Sequence, residues 1–129
     1  MKIAISTNGK EAGDLTDPRF GRCAFFAIYD TEQEAYRFIE NKAQSSGGGA
    51  GIAAAQQLID EDVEVILTGN MGPNAYNVMV NTGMKAYRVG SVPLNKAIEL
   101  FKEAKLEAIS EAGSAHYGMR RGFRGGQNQ

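Results

Sequence analysis

Residues 63–89 read VEVILTGNMGPNAYNVMVNTGMKAYRV, and the alternation inside this stretch decides the fold. Val63-Glu64-Val65-Ile66-Leu67 is a short apolar run rich in β-branched residues, the pattern of a strand. Thr68-Gly69-Asn70-Met71-Gly72-Pro73-Asn74 then leads into a helix beginning at Pro73, with Ala75, Val78 and Met79 as its inner stripe. Thr82-Gly83 stops that helix, because glycine enters the left-handed conformation without a Cβ clash. Met84 to Val89 is again a strand. Strand, helix and strand in succession form a βαβ unit, which sets its two strands parallel in one sheet with the helix on a face.

The same alternation extends to both sides. Upstream, Ile52, Leu58 and Ile59 with Ala53, Ala54 and Ala55 lay out an apolar helical face that Asp60-Glu61-Asp62 ends. Downstream, Pro93 opens a last helix where its missing N–H costs nothing, and Leu94, Ala97, Ile98 and Phe101 repeat at i, i+3, i+4 and i+7. Toward the N-terminus, Lys2 to Ser6 reads as a buried strand ended by Asn8-Gly9. Phe25 to Tyr29 is a second strand, joined by the polar Asp30 to Gln33 to a third, Ala35 to Ile39. In the third, Tyr36 and Phe38 face one way and Arg37 the other, the period of a half-exposed strand paired in a hairpin with the second. The predicted order is β-β-β-α-β-α-β-α in a single α/β domain over residues 1–112, followed by a flexible Gly/Arg-rich tail over 113–129.

Composition narrows the class. The chain has 129 residues, 43% apolar and 22% charged, with a net charge of −1, so it has neither the low hydrophobicity of a disordered chain nor a strong basic field. Nucleic acid and membrane are therefore not the expected partners. Cys23 is the single cysteine, which rules out an intramolecular disulfide and any CxxC metal cage built from this chain alone. The apolar run at Met1 to Ser6 is far shorter than a signal peptide's core, and the expected location is the cytoplasm.

If the second strand is antiparallel to its neighbours, strands one, three, four and five end at one edge of the sheet, where open α/β sheets bind ligands. Residues 7–23, 41–49, 68–74 and 90–93 then meet there. Three of these segments lead into helix N-termini, whose free N–H groups and partial positive charge suit an anion. Ser45 to Gly51, SSGGGAG, is one of these approaches. It lacks the Lys-Ser/Thr of a phosphate-binding P-loop, and residues 41–48 separate its GxGxxA match from the preceding strand, so a dinucleotide site is set aside. Gly48 and Gly49 form either one wall of an anion pocket or a plain turn.

Asn8, Asn70 and Asn74 either donate to an anion or cap helices and turns. Cys23 is either a soft thiolate ligand, with Arg19 and Arg22 lowering its pKa, or a small buried hydrophobe. Met71 is either a thioether contact or a core filler, and His116, the single histidine, stands in the tail as a weaker metal-ligand candidate. No Ser-His-Asp or Cys-His arrangement is evident.

Met1-Lys2-Ile3-Ala4-Ile5, Asp17-Pro18-Arg19-Phe20-Gly21-Arg22-Cys23-Ala24-Phe25-Phe26-Ala27-Ile28-Tyr29-Asp30 and Thr68-Gly69-Asn70-Met71-Gly72-Pro73-Asn74-Ala75-Tyr76 resemble the dinitrogenase iron-molybdenum cofactor biosynthesis family, whose small members include nitrogenase cofactor carriers. The resemblance implies a ribonuclease H-like three-layer fold with a five-stranded mixed sheet. It also implies non-catalytic binding, carrying or assembly of a small anionic metal-sulfur cofactor, of iron-molybdenum or molybdenum-copper type, with protein partners in cluster assembly. On this reading the cofactor contacts are Asn8, Arg19, Phe20, Gly21, Arg22, Gly48, Gly49, Gly69, Asn70, Gly72 and Asn74.

Nitrogenase-linked members often carry a histidine before the Phe-Gly pair, proposed as a cofactor contact. Arg19 stands there in this chain, so imidazole ligation is replaced by a fixed positive fork suited to an anionic cluster. Two other functions stay open at this point. One is an interaction module that regulates another protein without a cofactor. The other is a metal-dependent nuclease, which needs inward carboxylates that the first strand, Lys2 to Ser6, lacks.

Overall fold

The computed structural model describes residues 1–44 and 49–110; Gly48, His116 and the tail over 113–129 lie outside the described residues. The chain runs β1 (Lys2–Thr7), β2 (Phe25–Asp30), β3 (Ala35–Glu40), α1 (Ala50–Asp60), β4 (Val65–Thr68), α2 (Pro73–Thr82), β5 (Lys85–Arg88), α3 (Leu94–Lys102) and β6 (Glu107–Ala108). The strands form one mixed sheet in the order β3-β2-β1-β4-β5-β6. β2 is antiparallel to both β1 and β3, while β1, β4 and β5 are parallel. The ends of β1, β3, β4 and β5 therefore share one edge, as the alternation predicts.

The sheet has six strands, one more than the five that the resemblance implies. The sixth, β6, pairs antiparallel with β5 through Tyr87 with Ala108 and Arg88 with Glu107, and the Ile109 N–H extends the ladder to the Ala86 carbonyl at 2.8 Å. Two exposed residues carry no periodicity, so nothing in the sequence marks this strand.

Alternation along the strands makes three layers. Ala4, Phe26, Ile28, Ile66 and Ala86 meet Ala54, Ala55 and Leu58 of α1 and Ala75 and Met79 of α2 on one face. Ile3, Ile5, Ala27, Tyr29, Val65 and Leu67 meet Leu94, Ala97 and Ile98 of α3 on the other. Each large apolar side chain so buried contributes about 1.5–3 kcal/mol. Two expected core positions differ: Ile52, 40% exposed, and Ala53, also exposed, lie in the first turn of α1, which borders a cleft at the sheet edge that Ile52 lines. Among the described residues no helix is long and apolar enough to cross a membrane.

Candidate functional site

α1 and α2 both start at the C-terminal edge of the sheet. Gly49 precedes α1 and Gly72 precedes α2, and neither helix has a side-chain cap. The first bonds inside them are from Ala53 N–H to the Gly49 carbonyl and from Tyr76 N–H to the Gly72 carbonyl, each 3.0 Å, which leaves the earlier first-turn N–H groups outside the helical ladder. Between the two starts lies a cleft of ≈ 530 Å³, within the range of small-molecule sites. Gly49 to Ile52 form one wall and Gly72 to Ala75 another, and the loop Pro18 to Arg22 with Asn70 closes the third side.

Close approach of backbones builds this cleft. A Cβ on Gly21 would fall 2.9 Å from the Gly51 nitrogen, and one on Gly69 would fall 2.6 Å from the Pro18 Cβ. Glycine at these two positions is what lets the 18–22 loop lie against the start of α1 and against the end of β4. The Asn70 N–H then donates to the Pro18 carbonyl at 2.9 Å.

The third helix start behaves differently from expectation. Leu94 N–H donates to the Asp14 carbonyl at 2.9 Å and Asn95 N–H to the Ala12 carbonyl at 3.1 Å. The loop after β1 thus covers the start of α3, and among the described residues only the starts of α1 and α2 keep no such cover, where the sequence suggests three open ends.

Arg19 and Asn8 are already engaged. Arg19 Nε donates to Asp17 Oδ1 at 3.0 Å and Arg19 Nη2 to Asp17 Oδ2 at 2.8 Å, a bidentate pair. The Arg19 N–H also donates to Asp17 Oδ1 at 2.8 Å, and Asn8 Nδ2 donates to Asp17 Oδ2. Asn8 Oδ1 accepts the Ala24 N–H at 2.7 Å, so Asn8 ties loop segments together and does not line the α1/α2 cleft. Burial raises the Asp17 carboxyl, but hydrogen bonds from Arg19 and Asn8 and the guanidinium charge outweigh it and hold the group below its ordinary value. Sequence reasoning missed Asp17 as a site residue. The available signal is its place two residues before Arg19, the spacing at which an aspartate side chain accepts a backbone N–H.

Arg22 lines the cleft and donates from Nη1 to the Gln44 carbonyl at 3.0 Å. Asn70, Gly72 and Asn74 are exposed at its rim. Phe20 lines it through its backbone position while its side chain packs in the core, its ring 5.5 Å from Phe26. Met71 is 1% exposed and fills the core. Gly69 lies behind Pro18 and does not line the α1/α2 cleft.

Cys23 departs from the thiolate reading. It is 0% exposed, it does not line the α1/α2 cleft, and burial pushes its thiol up to about 12. The expected lowering by Arg19 and Arg22 does not decide it: burial is the largest influence, the Asp17 charge adds to it, and together they outweigh hydrogen bonds from Thr7 and Asn41 that pull the other way. Among the described residues no group of three or more His, Cys, Asp or Glu side chains could hold a metal ion. Among the described residues, the donor set of the cleft, backbone N–H groups, guanidinium and the Asn70 and Asn74 amides, fits an anion held by charge and hydrogen bonds.

These features define a three-layer α/β protein with a cleft at the sheet edge where its parallel strands end. Residues 1–104 match the family described as dinitrogenase iron-molybdenum cofactor, and the chain belongs to that family. An uncharacterised protein of Methanocaldococcus jannaschii is 33% identical over 110 residues, covering 83% of this chain and 90% of the relative. The apo form of the orange protein from Desulfovibrio gigas superposes with a TM-score of 0.84 at 30% identity, covering 88% of this chain and 96% of that one. A Thermotoga protein assigned provisionally to NifB superposes with a TM-score of 0.78 at 30% identity, covering 88% and 97%.

Proposed function

We propose that this chain binds and carries a small anionic metal-sulfur species, of iron-molybdenum or molybdenum-copper type, in the cleft between the starts of α1 and α2. The observation that carries the reading is the convergence of two uncapped helix N-termini on one cleft. Each such end bears about half a positive charge and, among the described residues, first-turn N–H groups outside the helical ladder, although Pro73 at the start of α2 supplies none. Family membership supplies the class of cargo, and the donor set agrees with it by offering hydrogen bonds and charge in place of metal ligands. The role is non-catalytic, exercised in the cytoplasm with protein partners that load or receive the cargo. The layering of helices on both faces of the mixed sheet supports the ribonuclease H-like assignment of the fold.

The test is anaerobic incubation with tetrathiomolybdate and copper, or with an iron-molybdenum cluster, followed by desalting and elemental analysis. A coloured complex of about one cluster per chain is expected. Absence of retained metal overturns the reading and leaves the cofactor-free interaction module in its place.

A further inference from the structure

Arg19 stands between two clefts. It lines the α1/α2 cleft and also a second one of ≈ 530 Å³ bounded by Asn8, Asp14, Thr16, Asp17 and Ser91. Its side chain is 60% exposed, whereas that of Asp17 is 3% exposed. A long exposed arginine would ordinarily sample many rotamers and lose that freedom on gripping a ligand. Here two parallel bonds to one carboxylate fix the plane of the guanidinium, and Nη1 takes no part in them.

Asp17 is itself held in place, at its backbone and at its carboxylate. The Asp17 N–H donates to the Ser6 carbonyl at 2.7 Å, and Ser6 Oγ donates back to the Asp17 carbonyl at 2.5 Å. Ser6 Oγ lies 2.8 Å from Thr68 Oγ1, which joins the ends of the neighbouring strands β1 and β4. Asn8 holds Asp17 Oδ2 from the other side. The chain of contacts runs from the ends of the central strands β1 and β4 to the rim of the cleft.

We propose that Asp17 is a positioning residue for anion binding: it presents Arg19 to the α1/α2 cleft as a pre-oriented fork. This rests on the anion-binding reading above, and it makes a prediction opposite in sign to simple charge counting. Removing a negative charge beside an anion site strengthens binding by Coulomb attraction alone. Removing a positioning group weakens it, because the arginine must then be ordered by the ligand.

The experiment measures tetrathiomolybdate affinity for the full chain and for Asp17→Asn, Arg19→Gln and the double variant, with circular dichroism to verify folding. Asp17→Asn is expected to bind about tenfold more weakly, within the range of coupled neighbouring residues. In the Arg19→Gln background, Asp17→Asn is expected to change affinity little, since the effect acts through Arg19; a merely structural role would lower affinity equally in both backgrounds. Wild-type binding with unchanged or tighter binding by Asp17→Asn overturns the positioning role and leaves the carrier reading standing. Failure of the wild type to bind overturns both. Loss of fold in Asp17→Asn is met by Arg19→Lys, which keeps the charge without the fork: binding equal to wild type overturns the proposal, and weakened binding supports it.

Discussion

Alanine at Gly21 should strain the junction that builds the cleft. The new Cβ would stand 2.9 Å from the Gly51 nitrogen, 3.1 Å from Gly51 Cα and 3.2 Å from the Ala50 carbonyl carbon, all backbone atoms that no rotamer change can move. α1 has little room to retreat, because Gly51 already lies so close to α2 that its own Cβ would sit 3.1 Å from Ala75 Cβ. Relief must come from the 19–23 loop, which carries the buried Phe20 and Cys23. Overpacking of this kind costs about 1–3 kcal/mol. At about 4 °C per kcal/mol for a domain of this size, Gly21→Ala should melt about 8 °C below wild type. Gly72→Ala is the control: nothing lies within 4 Å of its Cβ, and its backbone at φ −71° and ψ 172° is extended. Its poorer capping and the reduced freedom of its unfolded chain oppose one another, so its stability should stay within about 0.5 kcal/mol of wild type. Urea titrations with unchanged slopes give both differences. A Gly21→Ala midpoint equal to wild type would refute the close-packed junction.

The buried titratable groups set how stability changes with pH. The Cys23 thiol has a folded value of about 12 against an ordinary 9.0, so the unfolded chain loses this proton first. Stability is therefore intact below about pH 9 and falls between pH 9 and 12 by up to about 1.4 kcal/mol per pH unit, and Cys23→Ala should flatten that limb in urea titrations run at stepped pH. Asp17 is lowered from 3.8, so its contribution is present above that pH and is lost as pH falls through the lower folded value. Asp17→Asn should reduce stability at pH 7 by about 1–3 kcal/mol through its mismatched donors yet show a shallower acid limb, read by fluorescence-monitored acid titration.

The fold is legible in the sequence because its strong elements are periodic. Leu94, Ala97 and Ile98 repeat on one helical face and are buried there. The strands β1 and β4 are apolar on both faces because helices cover both. Ile52 is misplaced by the same pattern because an apolar residue in a first helical turn looks alike whether it faces a core or a cleft rim. The candidate cleft is legible at the level of loops that meet and not at the level of individual donors. That Leu94 donates to Asp14, or that Asn8 reaches Asp17, depends on how a long loop folds back, and no local pattern records it.

The closure of α3 gives the edge its direction. Three helices start there, and if all three were open, an anion would meet three comparable positive ends. The loop after β1 covers one of them with the Ala12 and Asp14 carbonyls, which leaves the pair flanking the α1/α2 cleft. The same loop continues through Asp17 to Arg19, so one segment both closes the unused end and furnishes the cleft's third wall. A ligand held there by N–H groups and guanidinium is bound without any exchange of metal ligands, and rising salt screens the hold at the exposed rim. A Cys23 thiolate would form a stronger and slower bond, but burial keeps that sulfur protonated at neutral pH. For a protein proposed to receive a cluster and give it up again, the weaker and reversible hold is the one that fits.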